Sequence, residues 1–77
     1  MKTFPNNLTK VSVSFICDIC GVSVPFEVDF AGGNKLNFTV TCPVCSKQFT
    51  IDATRGEGTT DSQVSISDID ADDITIE

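Results

Sequence analysis

Histidine, tryptophan and tyrosine are all missing from this 77-residue chain, and each absence narrows its chemistry. Without histidine there is no imidazole for general acid–base work near neutral pH, and no imidazole metal ligand. The aromatic set is six phenylalanines. Basic residues are scarce too, five against eleven acids, for a formal net charge of −6. Lys2, Lys10, Lys35 and Lys47 are too few and scattered to promise a phosphate-binding patch, so direct contact with nucleic acid is not expected. No apolar run reaches the roughly 18 residues of a membrane span, and residues 1–8 carry one lysine and no apolar stretch. The expectation is a soluble intracellular protein, with no membrane association, in a cytoplasmic or a viral and virion-associated setting.

What is present is four cysteines in two pairs, Cys17-Asp18-Ile19-Cys20 and Cys42-Pro43-Val44-Cys45, with 21 residues between the pairs. Two Cys-x-x-Cys turns at this separation, one residue beyond the usual window, read as a four-thiolate metal site. A reducing compartment favours that reading over two disulfides. Zinc is the first choice and iron the second, since four thiolates suit both. Four protein ligands close a tetrahedral zinc shell, which makes the ion structural rather than catalytic. The length supplies the motive, because so short a chain draws no more than about 3–5 kcal/mol from an apolar core. A structural zinc contributes on the order of 10–16 kcal/mol, so metal binding and folding become nearly one event.

Along the chain the dominant period is two. Val11, Val13 and Phe15 alternate with Ser12 and Ser14 and lead into the first cysteine pair. Val22, Val24, Phe26, Val28 and Phe30 follow, then a turn at Ala31-Gly32-Gly33-Asn34, then Leu36, Phe38 and Val40 leading into the second pair. These two strands are expected to form a hairpin that brings the pairs together. Phe49 and Ile51 mark a fourth strand. Strand, Cys-x-x-Cys, strand occurs twice, a loose internal repeat with pseudo-twofold character. Pro25 lacks an N–H and marks its strand as an edge or a bulge. Phe15, Phe26, Phe30, Phe38 and Phe49 sit on the apolar phase, as core residues rather than a base-stacking platform, since Glu27 and Asp29 are interleaved with two of them.

The pattern resembles the zinc ribbon family, on Cys17-Asp18-Ile19-Cys20-Gly21, Cys42-Pro43-Val44-Cys45 and the antiparallel strands around them. The resemblance implies an all-β fold, a small ribbon with a three- to four-stranded antiparallel sheet and two Cys-x-x-Cys knuckles. It is specific for fold and unspecific for role. One departure is Ser46, where such a knuckle usually has glycine. A left-handed conformation there would cost about 1 kcal/mol. Rubredoxin, an iron electron carrier with similar cysteine pairs, resembles the chain less, given its aromatic surroundings and longer spacing.

The organisation expected is a lead-in over residues 1–10, the ribbon over residues 11–54 and an acidic segment over residues 55–77. Residues 1–50 hold four lysines against three carboxylates, whereas residues 51–77 hold eight carboxylates against Arg55, so the negative charge lies in the second part. Its apolar residues change phase twice, at Val64 and Ile66, at Ile69 and Ala71, and at Ile74 and Ile76, as in two or three very short strands joined at bulges. Asp68, Asp70 and Asp72 do not make a calcium loop, because Asp73 stands where glycine is needed. Two readings of the segment compete. Val64, Ile66, Ile69, Ile74 and Ile76 fold back over the apolar sheet face, or they join Asp68, Asp70, Asp72 and Asp73 in binding a protein partner.

The role expected is a non-catalytic protein-binding module, a minor subunit or adaptor of a larger assembly, of open oligomeric state. The alternatives are a nucleic-acid-associated ribbon of transcription or replication machinery, an acidic inhibitor of a nucleic-acid-binding protein, and the iron electron carrier. Catalysis has little footing. A thioredoxin-like use of Cys-x-x-Cys needs a parallel βαβ context that no helical period announces.

Overall fold

The computed structural model describes residues 1–31 and 33–77. Its strands are β1 (Lys2–Phe4), β2 (Lys10–Ile16), β3 (Ser23–Asp29), β4 (Lys35–Thr41), β5 (Gln48–Thr54), β6 (Ser62–Ile66) and β7 (Ile74–Ile76), with one 3₁₀ turn at Ala71–Asp73. The all-β expectation holds, and every strand pairing is antiparallel. Instead of one sheet there are two, a four-stranded one in the order β1-β6-β5-β4 and a three-stranded one in the order β3-β2-β7. Among the described residues no helix is long and apolar enough to cross a membrane.

Alternation puts every second side chain inside. Val11, Val13 and Phe15 of β2 and Phe49, Ile51 and Ala53 of β5 are all buried. Phenylalanines join the two inner faces: Phe15 meets Phe49 edge-on with centroids 4.9 Å apart, and Phe26 meets Phe38 at 5.8 Å. Phe4 stacks on Phe30 at 6.1 Å, so a residue of the expected lead-in is core and β1 is a strand paired with β6. Such aromatic pairs add about 0.5–1.5 kcal/mol each beyond the area they bury.

The expected hairpin between the second and third strands does not form. β3 pairs along its length with β2 and β4 with β5, so each Cys-x-x-Cys turn is itself the hairpin connection. β3 and β4 thus belong to different sheets. Gly32 of that expected turn lies outside the described residues. Alternation alone could not separate the two outcomes, since a strand buries the same face whichever neighbour it pairs with. Pro25 does mark an edge: β3 ends its sheet.

The C-terminal segment is two strands rather than two or three joined at bulges. β6 lies between β1 and β5, and β7 pairs with β2. Ile69 and Ala71 are in no strand; a turn closed by Ile69 N–H to the Ile66 carbonyl (3.3 Å) and the 3₁₀ turn carry the chain from one sheet to the other. Asp68 occupies the left-handed region there, φ 63°. The chain directions place β2, β4 and β6 running toward one end of the sandwich, where both cysteine turns sit.

Candidate metal centre

Each sheet contributes one cysteine pair. Cys17 and Cys20 connect β2 to β3, and Cys42 and Cys45 connect β4 to β5. The two turns are copies of each other. Cys17 N–H donates to the Val22 carbonyl and Cys42 N–H to the Lys47 carbonyl, both at 2.9 Å; Gly21 N–H donates to the Cys17 carbonyl and Ser46 N–H to that of Cys42, again both at 2.9 Å. The repeat read in the sequence is thus a repeat of backbone geometry. It requires a left-handed residue after each second cysteine, and Gly21 (φ 72°) and Ser46 (φ 65°) both comply.

All four sulfurs lie within 4.8 Å of one another. Two of the approaches run between the sheets, Cys17 Sγ to Cys45 Sγ and Cys20 Sγ to Cys42 Sγ, each 3.5 Å. Four thiolates about 2.3 Å from a shared tetrahedral zinc would stand about 3.8 Å apart, a value inside the observed span. The cysteines are free, and at 3.5 Å neither pair is a disulfide. Among the described residues this is the one grouping of cysteines, histidines or acids with metal-binding geometry. The residues present therefore fit a single ion, and a four-sulfur cluster of this kind supports metal binding without naming the metal.

Backbone N–H groups point at the sulfurs in the same repeated pattern. Those of Cys20 and Ile19 bond to Cys17, and those of Cys45 and Val44 to Cys42. The Val22 N–H bonds to Cys20 and the Lys47 N–H to Cys45. These donors stabilise negative sulfur, which is what a metal-bound thiolate requires around it. In the free thiols, the Cys20 N–H brings Cys17 down to about 6 against the opposing effect of burial. Cys42 is lowered in the same way by the Cys45 N–H. At Cys20 the Val22 N–H favours the thiolate, yet burial and hydrogen bonding to the neighbouring sulfurs push it up to about 12. Cys45 is raised despite the Lys47 N–H, by burial and by Cys17. Two low and two high thiols describe a crowded cluster that resists holding four bare negative charges.

Charge around the site is organised by Lys47, which in the sequence is one of a few scattered cations. Its Nζ is 2.9 Å from Asp18 in the other turn and 3.5 Å from Asp68 beyond β6, and it lies 5.1 Å from the Phe49 ring centroid. The hydrogen bond from Lys47 to Asp18 is the main reason its pKa is raised. A lysine two residues past one cysteine pair and an aspartate inside the other were the available signal.

The nine residues offered as a partner surface separate by burial. Val64, Ile66 and Ile74 are in the core, and Ile69 and Ile76 pack against it. Asp68, Asp70, Asp72 and Asp73 are exposed. The apolar half of the segment thus covers the chain's own sheets, the first of the two competing readings, and only the carboxylates face outward. Also exposed at this end are Ile19 (64%) and Val44 (65%), which hold matching positions in the two turns. Comparison with protein-family models, curated proteins and solved structures returns no match.

Proposed function

We propose that the protein is a zinc ribbon in kind: a non-catalytic protein-binding module whose two sheets are stapled at one end by a single structural zinc ion. The observation that carries this is the convergence of four sulfurs, two from each sheet, inside 4.8 Å. Four thiolates leave a tetrahedral ion no open position for a substrate or an activated water, which argues for a structural metal. The surface around it suits a protein partner. Ile19 and Val44 offer adjacent turns with exposed aliphatic tips, and Asp68, Asp70, Asp72 and Asp73 lie at the same end, matched to a partner with a small apolar depression and a basic rim. The acidic balance, a formal −6 before the ion is counted, disfavours phosphate backbones. The role is that of a minor subunit or adaptor in an intracellular or viral assembly.

The test is co-purification from the native source with the wild-type chain and with Ile19→Asp/Val44→Asp, alongside titration of mixed-sequence DNA and RNA. The expected result is one protein partner retained by the wild type and lost by the double variant, with no nucleic-acid binding. Tight nucleic-acid binding that weakens steeply with salt would overturn it. So would a visible thiolate-to-iron absorption band in the natively purified protein, which would mark an electron carrier.

A further inference from the structure

Sheet edges offer unpaired backbone groups to any strand that can reach them, and proteins blunt them by shortness, proline, bulges or charge. Three of the four edges here are blunted. β1 and β7 are three residues each, and β3 carries Pro25, which has no N–H to offer, with Glu27 and Asp29. β4 is different. It runs seven residues, Lys35–Thr41, with no proline, no glycine and no carboxylate, in a chain holding eleven acids. Its backbone pairs with β5 on one side, and among the described residues no further backbone bond is made by residues 35–41. Its inward side chains Leu36, Phe38 and Val40 are only half-buried, whereas those of β5 are fully buried, so the apolar interior opens along this edge.

The strand is also complementary to itself. Laid antiparallel on a second copy about Phe38, it sets Leu36 opposite Val40, Phe38 opposite Phe38, Asn37 opposite Thr39 and Lys35 opposite Thr41. Apolar residues meet apolar ones on the inner face and polar ones meet on the outer face, with no like charges opposed. The antiparallel arrangement further sends the two metal ends, with Asp68, Asp70, Asp72 and Asp73, in opposite directions, which keeps the most acidic parts of the two chains apart.

We propose that β4 is a self-association edge: two copies pair β4 to β4 around a twofold axis at Phe38, joining their four-stranded sheets into one of eight strands. The occupant of the edge is a second copy of this chain. The interface is isologous, so each substitution acts twice. It goes beyond the protein-binding role proposed above and does not depend on it.

Sedimentation equilibrium of the metal-loaded protein tests this with variants at the exposed Thr41, each checked for an unchanged melt. The wild type is expected to dimerise reversibly. Thr41→Lys sets lysine against Lys35 at both ends and should raise the dimer Kd on the order of tenfold; Thr41→Glu should lower it by about the same factor. Lys35→Glu combined with Thr41→Lys should restore dimerisation. A wild type that stays monomeric to millimolar concentration overturns the proposal, as does a dimer whose Kd moves the same way in Thr41→Lys and Thr41→Glu. A double variant no tighter than Thr41→Lys alone would overturn the register.

Discussion

Lys47 and Asp18 join the two cysteine turns by a second route, Nζ to carboxylate at 2.9 Å, parallel to the one through the sulfurs. Each residue belongs to a different sheet's turn, so the ion pair spans the same gap that the metal would bridge. Asp68 completes a three-way contact and brings in the connection between β6 and β7.

Replacing Lys47 with methionine keeps an unbranched apolar stem and removes the charge. The variant should melt below the wild type, with the difference shrinking as salt rises. A raised lysine pKa stabilises the fold fully below the unfolded value of 10.5 and loses that contribution as the pH rises through the folded value. The gap between the two melts should therefore be steady through neutral pH and close above about 10.5, as thermal melts across pH would read.

The repeated left-handed residue gives an asymmetric pair of substitutions. Ser46 (φ 65°) holds a conformation that costs a side-chain-bearing residue about 1–2 kcal/mol, partly offset in glycine by chain entropy. Ser46→Gly should stabilise the protein by about 0.5–1 kcal/mol, and Gly21→Ser should destabilise it by about 1 kcal/mol. Denaturant melts of both variants decide the matter; equal and same-signed effects would contradict the repeat.

Gly56 sits where a Cβ would come within 1.9 Å of the Thr60 carbonyl oxygen, and its N–H donates to the fully buried Ser62 hydroxyl at 3.1 Å. The loop backbone would have to move. Gly56→Ala should cost about 1–3 kcal/mol, while Gly33→Ala, with nothing within 4 Å of its added Cβ, should be nearly silent.

In metal-free protein Cys17 ionises at about 6, below the ordinary 9.0. A thiol lowered in the folded state contributes stability that is complete above the unfolded value and is lost as the pH falls through the folded one. Cys20, pushed up to about 12, contributes in the opposite sense, complete below 9.0 and lost as the pH climbs toward 12. In the loaded protein the melt and the bound metal should therefore be lost together as the pH falls through about 6, because protons then compete with the metal for every sulfur; metal content and melts read side by side across the acid range check this.

Much of this fold was legible because alternation is a strong signal. The strands expected around Val13, Phe26, Phe38 and Phe49 all exist, Pro25 does mark an edge, and Ser46 takes the left-handed conformation whose cost the missing glycine raised as a question. The pairing partners were less legible. Val24, Phe26 and Val28 bury the same face whether β3 pairs with β2 or with β4, so nothing in their order announced a second sheet. Phe4 gives no such signal, since the three residues of β1 carry too little periodicity to be read. Val64, Ile66 and Ile74 were visible as apolar residues, but whether they covered this chain or another depended on contacts remote in sequence. The clustering of the four cysteines followed from spacing, whereas the bond between Lys47 and Asp18 required knowing that the two turns lie side by side.

The central claim is that one metal ion holds the two sheets together at their cysteine end. The most direct measurement is a thermal melt of the purified protein, of known metal content, before and after stripping by a strong chelator, with Cys17→Ser/Cys42→Ser beside it. The expected result is one zinc per chain, loss of the cooperative melt on stripping, its return on adding zinc, and a double variant that behaves as the stripped protein does. A folded sample free of metal, or a double variant melting as the wild type does, would contradict it.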